Sequence, residues 1–298
     1  MQHKQVSDKG LTAGMIVSMF LWGLSWPSAK ILTRYTTAVN FTVYRYALVV
    51  LALLLLLLLL KVRVRVKKAG IPSILIAGVL LAIYSYFFFK GLKSGAAGAG
   101  GVLVTTLNPI MAYIIGIALS RKLPSRNEAI GLGLGIAAGT ILLKLWSNAT
   151  AVFDSGNIYF LLAAFIWAAM SKFTAKGGAY GSSLSFSLWQ YLVTLLCLLP
   201  LMNVPEARAA VHIPDTVFWL NLVFSSVIVT AIATTVYFYS TSRLGAERAS
   251  TFIFMVPLAA ALSSWLFLGE RILPHTVIGG VLGMAAVYVI NKNKVSRD

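Results

Sequence analysis

Ten apolar stretches, most of them about 20 residues long, run through this chain, and no other feature limits its fold so severely. They fall near residues 12–33, 40–60, 72–90, 97–119 and 127–146, then near 157–175, 183–202, 216–242, 247–268 and 275–291. A helix needs about 20 apolar residues to cross a bilayer. Lipid offers backbone N–H and C=O groups no partner, so only helices and closed barrels can span it. The stretches are long and continuous, without the short alternating pattern of barrel strands, and so predict helices. Composition agrees: 59% of residues are hydrophobic, 11% are charged and the mean hydropathy is +0.85. Soluble domains carry about 25% charge, so this chain has too little polar surface to face water all round. Soluble enzyme, disordered segment, collagen and disulfide scaffold are excluded. Ten crossings use about 200 residues, which leaves no room in a chain of 298 for a soluble catalytic domain. The single Cys197, within L-L-C-L-L, reads as a small core residue with no internal disulfide.

Charge fixes the expected orientation. With the amino terminus inside, seventeen of the 25 Lys and Arg residues fall in inner segments, five of them between Lys61 and Lys68. Six fall outside: Arg34, Lys90, Lys93, Lys144, Arg208 and Arg271. The positive-inside rule then puts both termini in the cytoplasm. The net charge of +17 is read as loop charge that orients the chain, with no nucleic-acid partner. The first stretch is too long for a cleaved signal peptide and is kept as a span.

The chain also repeats itself. F-L-W-G at 20–23 aligns with F-I-W-A at 165–168, and Tyr44-Arg45-Tyr46 with Trp189-Gln190-Tyr191, both at an offset of 145. Phe88 through Ala96 aligns with Phe238 through Ala246 at 150, while Pro109 matches Pro257 at 148. Five spans per copy is odd, so the second copy enters the membrane from the opposite side. Such an inverted repeat lets two similar halves exchange roles around a shared site, which makes transporter the leading class. The expected boundaries are residues 1–146 for the first repeat and 147–298 for the second.

N-P-x-x-A at 108–112 and V-P-L-A-A-A at 256–261 each lead into an apolar stretch, a short polar turn with L-P and a Gly-rich helix. With L-G-E-R at 268–271 and the Y-R-Y of the second span, these features resemble the drug/metabolite transporter superfamily, the EamA-type ten-helix exporters. Within it the chain is most similar to the bacterial aromatic amino acid exporter branch. The resemblance covers essentially the whole chain and implies a central cavity lined by spans 1, 3, 4, 6, 8 and 9. Ser120-Arg121 stands where the second half has Gly269-Glu270, and Gln190 where the first has Arg45.

Pro109 and Pro257 are expected inside spans 4 and 9, where a proline deletes a helical hydrogen bond and kinks the helix. Their matched positions suggest hinges; Pro27, unmatched, suggests a local kink. Aromatic and hydroxyl side chains at helical spacing give the candidate cavity lining. These are Trp22 and Ser25 on span 1, Tyr84 and Phe88 on span 3, Thr105 and Asn108 on span 4, Trp167 and Ser171 on span 6, Thr234 and Tyr237 on span 8, and Phe254 on span 9. Such a lining suits an apolar-bodied solute with a few polar atoms. Trp and Tyr also form interfacial belts, which accounts for Trp26, Tyr35, Trp146 and Trp219. The glycines at 95–101 and 131–139 are read as close helix contacts, and the leucines at 53–60 as a lipid-facing surface.

All eight acids fall at ends or in loops. Without a midplane carboxylate or histidine, facilitated diffusion fits better than proton exchange on a buried acid, with Glu270 at the outer mouth as the coupling alternative. Lys30 and Arg45, near outer span ends, could snorkel or pair. The three scattered histidines argue no metal site, and no cofactor or nucleophile–base set is indicated. The expectation is an all-α integral membrane protein of ten transmembrane helices in two inverted five-helix repeats. It would sit in the bacterial inner membrane with the lipid bilayer and a small-molecule substrate as its partners, a monomer being compatible. Neutral or aromatic amino acids would be exported by alternating access; a multidrug or other metabolite exporter of the same fold is the alternative, and an intramembrane enzyme or scaffold the rival class.

Overall fold

The computed structural model describes residues 8–120, 124–154, 156–175, 177–213, 215–237, 240 and 252–291. Among them no strand occurs. The principal helices are α1 (Asp8–Leu32), α2 (Ala38–Leu59), α3 (Ile71–Ser94), α4 (Ala97–Ser120), α5 (Arg126–Leu143), α6 (Asn157–Thr174), α7 (Ser183–Leu198), α8 (Thr216–Val223), α9 (Met255–Leu268) and α10 (Pro274–Asn291). A π-helical stretch over Phe224–Ala233 continues α8. Among the described residues seven helices are long and apolar enough to cross a bilayer: α1 to α4, α6, α7 and α8 with its continuation. The apolar α9 and α10 are shorter, and α5 opens on Arg126-Asn127-Glu128.

Helix ends follow local chemistry. The Thr37 and Ser182 hydroxyls accept from Asn40 N and Ser185 N, and Ser125 with Glu128 forms a capping box on α5. These side chains satisfy N–H groups that the first turn leaves unpaired. Before α6, Gly156 has φ +77°, and a Cβ there would lie 2.7 Å from the Gly91 carbonyl oxygen. Only glycine combines that backbone with that approach.

Helix pairing carries the repeat into three dimensions. Exchanging α1–α5 with α6–α10 maps the main contacts onto one another. The α3–α6 pair becomes α8–α1, α1–α9 becomes α6–α4, and α3–α7 becomes α8–α2, while α5–α10, α4–α9 and α2–α7 map onto themselves. Small residues make these contacts close, as they must where lipid gives helices no hydrophobic reason to associate. Phe160 of α6 fills the space that Gly91 and Gly100 leave free, and Gly101 faces Ala260 and Trp26. Gly131 and Gly135 meet Ile290 and Ile110, whereas Gly133 faces open space. Within the leucine run, Leu53 and Leu57 are buried and Leu54, Leu55, Leu58, Leu59 and Leu60 are exposed. The run is therefore lipid-facing on one side only.

Candidate transport cavity

A cavity of about 110 Å³ lies where α4, α9 and α10 meet. Thr105, Thr106 and Pro109 line it from α4, Ile253, Phe254 and Pro257 from the start of α9, and Gly283, Met284 and Val287 from α10. Pro109 lies inside α4 and has no N–H for the Thr105 carbonyl, so α4 lacks one helical bond beside the cavity. The Thr105 hydroxyl donates to the Gly101 carbonyl at 2.5 Å. The Thr106 hydroxyl is buried and has no hydrogen-bond partner among the described residues. A hydroxyl left in that state costs about 1–3 kcal/mol, which a polar atom of a solute would recover. Gly283 is its neighbour across the wall, close enough that a Cβ there would meet Thr106 Cγ2.

Aromatic pairs stand between the repeats. Trp22 of α1 meets Tyr237, four residues past the π-helical continuation of α8, with ring centres 5.0 Å apart, and Trp167 of α6 meets Tyr84 of α3 at 4.8 Å. Trp22 and Trp167 are repeat mates, and the helix pairs α1–α8 and α6–α3 exchange with each other, so the two contacts lie on related interfaces, although Tyr84 aligns with Thr234 and Tyr237 with Phe87. Tyr84 stacks on Phe88 at 5.5 Å, and Phe88 takes the edge of Trp26 at 4.8 Å. Pairs of this kind contribute about 0.5–1.5 kcal/mol beyond the area they bury. Their faces are also suited to an aromatic solute.

Charged groups close one end of the bundle. Lys30 Nζ donates to the carbonyls of Leu92 and Gly95, the latter at 2.7 Å, at the C-terminus of α3. Glu270 Oε1 and Oε2 accept from Ala97 N and Gly98 N at 2.8 Å, at the N-terminus of α4. A cation at a helix C-terminus and an anion at an N-terminus both oppose the local dipole, so the α3–α4 corner is strapped to α1 and to the segment after α9. The Tyr35 hydroxyl donates to the Asp215 carboxylate, which also accepts from Val217 N at 2.8 Å. That donation holds the Asp215 carboxyl below the usual carboxylate range and pushes the Tyr35 phenol up. Glu206 accepts from Thr37 N at 3.1 Å, Glu128 from Ser125 N at 2.7 Å, and Asp154 from Asn148 at 3.0 Å. Each of these acids thus binds at or beside a helix terminus.

The expected site residues divide into three sets. Thr105, Phe254, Pro109 and Pro257 line the cavity. Trp22, Tyr237, Tyr84, Phe88 and Trp167 form the aromatic contacts. Ser25, Ser171 and Thr234 donate to the carbonyls of Trp22, Trp167 and Val229 on their own helices, and half-buried Asn108 precedes Pro109 outside the lining. Pro257 stands in the first turn of α9, just after the turn at Ile253 and Phe254, and residues 241–251, where the expected ninth span begins, lie outside the described residues. Trp26 is 4% exposed and packs in the core, contrary to its reading as a belt residue, because its face of α1 meets α3 and α4. Lys30 pairs with carbonyls rather than snorkelling. Thr106 and the α10 residues Gly283, Met284 and Val287 are not among the sequence-predicted lining, since the resemblance implies no lining from the tenth span. The adjacent hydroxyls of Thr105 and Thr106 were the available signal. Phe238 and Arg121 lie outside the described residues.

Comparison with known proteins agrees with this architecture. The chain is 25% identical over 225 residues to the WAT1-related protein At3g02690, chloroplastic, of Arabidopsis thaliana, covering 73% of this chain and 54% of that one, so it spans about half of that relative's length. It is 24% identical to the uncharacterized transporter sll0355 of Synechocystis, covering 99% and 94% of the two chains. It is 22% identical to a protein of Streptantibioticus cattleyicolor named a probable terminal-alkyne amino-acid exporter, covering 78% and 76%. One crystal structure superposes with a TM-score of 0.61 at 18% identity over 96% of this chain and 99% of the other, which supports the fold. The EamA-like transporter family model matches twice, over residues 10–144 and 154–292. The chain is thus a multi-pass membrane protein that belongs to the EamA-like transporter family.

Proposed function

We propose that this transporter exports small organic solutes, neutral and aromatic amino acids foremost, across a bacterial inner membrane by alternating access. In this reading all ten principal helices span the membrane as two inverted repeats, residues 1–146 and 147–298, with both termini in the cytoplasm. The observation that carries it is the cavity between Pro109 and Pro257, set where the repeat-related helices α4 and α9 cross. The two aromatic contacts, Trp22 with Tyr237 and Trp167 with Tyr84, supply ring faces on the interfaces that must slide. Pro109 weakens α4 at the point where it would bend. The strap made by Lys30 and Glu270 holds one end shut and releases when the halves exchange. The acids with described partners serve helix termini, which supports facilitated diffusion over a cycle driven by a buried carboxylate.

Counterflow of labelled phenylalanine or tryptophan into proteoliposomes preloaded with unlabelled substrate tests this directly. The expected result is accumulation well above that of empty liposomes, unchanged by an imposed pH gradient. Labelled counterflow no faster than in empty liposomes overturns amino acid export, and acceleration by the gradient overturns simple facilitation.

A further inference from the structure

Arg45 is the embedded cation to which the mechanism above gives no task. It lies two turns inside α2, half-buried. Its Nη2 donates to Thr230 Oγ1 at 2.9 Å, in the π-helical part of α8, a kind of element that recurs at functional sites. Its Cζ stands 5.9 Å and 5.8 Å from the ring centres of Tyr46 and Phe89. Its Nε is buried and has no hydrogen-bond partner among the described residues. Five acids have their partners elsewhere: Glu128, Asp154, Glu206, Asp215 and Glu270 are engaged at or beside helix termini. At the matching position of the other repeat, buried Gln190 donates through Nε2 to Met170 Sδ at 3.3 Å. One half therefore carries a charge that the other lacks.

A guanidinium at membrane depth is costly unless it is paired, and the rings beside it offset only part of that cost. An anion with two coplanar oxygens would complete the fork. We infer that Arg45 recognises the carboxylate of the transported solute, which makes carboxylates with an apolar or aromatic body the substrate class. The position suits this. Phe89, against the guanidinium, packs edge-on to Phe88 at 4.9 Å, and Phe88 stacks on Tyr84. Along α8, Thr230 precedes Tyr237 by seven residues, roughly 10 Å at helical rise. That is about the length separating an amino acid's ring from its carboxylate plus one side-chain contact. Amines and amides of the same shape leave Arg45 unpaired and are rejected for that reason. The assignment rests on the transport function proposed above.

The test is ligand-induced thermal stabilisation of the purified protein in detergent, with phenylalanine, 3-phenylpropionate, phenylalanine amide and phenethylamine as probes. Wild type is expected to respond to the two carboxylates at concentrations about tenfold or more below those needed for the amide and the amine, the loss typical of an absent charge-assisted bond. Arg45→Gln, which copies the other repeat, is expected to abolish that preference while remaining monodisperse. Arg45→Lys, which keeps the charge but not the fork, should retain part of it, and stands in if Arg45→Gln fails to fold. Equal responses to acids and amines in wild type, or an undiminished preference in both variants, overturn the assignment. If carboxylates bind with the expected preference but none is carried in counterflow, the transport function fails and the recognition role stands.

Discussion

Gly23→Ala is expected to cost about 1–3 kcal/mol of stability and most of the transport rate, while Gly133→Ala leaves both nearly unchanged. Gly23 lies where α1 crosses α9. A Cβ on it would come within 2.8 Å of the Ala259 carbonyl carbon and of the Ala260 nitrogen, and closer still to Ala259 Cβ. Backbone atoms cannot rotate away as a side chain tip can, so the two helices must move apart. The small residues that replace hydrophobic association in lipid would then no longer meet. This contact joins the two repeats, and its repeat mate joins α6 to α4, so a wedge at Gly23 also unbalances an exchange between matched interfaces. Gly133 is exposed, with nothing within 4 Å of an added Cβ. Melting in detergent and counterflow in liposomes read both effects. Equal behaviour of the two variants would mean that the α1–α9 crossing is looser than described.

Glu270→Gln is expected to weaken the strapped end of the bundle by about 2–4 kcal/mol, the scale of one lost charge-assisted bond together with the lost helix-terminus charge. The carboxylate accepts from two adjacent N–H groups at the start of α4. A glutamine can accept only one, and its NH₂ faces the other donor. Lys30 remains on the carbonyls of α3, so one of two ties is cut. The population should shift toward the conformation open at that end, seen as faster modification of a cysteine placed at Ala96 and as altered exchange rates. Unchanged modification would show that Glu270 merely caps α4.

The spans, the repeat and the glycine contacts were legible because each leaves a mark in sequence: apolar length, co-linear landmarks and missing side chains. Hydropathy says that a residue is buried but not whether lipid or protein buries it, which is why Trp26 passed for a belt residue. The π-helical turns of Phe224–Ala233 carry no residue signature; hydroxyl bonds such as Thr230 to the Ser225 carbonyl at 2.7 Å follow the wider turn. Glu270 capping α4 from 172 or more positions away is a tertiary fact. So is the difference between Thr105, satisfied by its own helix, and Thr106, which is not.

Alternating exposure of the cavity to the two sides of the membrane can be read by cysteine labelling. With Cys197 replaced by alanine, a single cysteine at Phe254, on the cavity wall, is treated with membrane-impermeant maleimide from either face of oriented vesicles. Modification is expected from both faces, with phenylalanine changing the two rates in opposite directions. Modification from one face alone, with and without substrate, would contradict it.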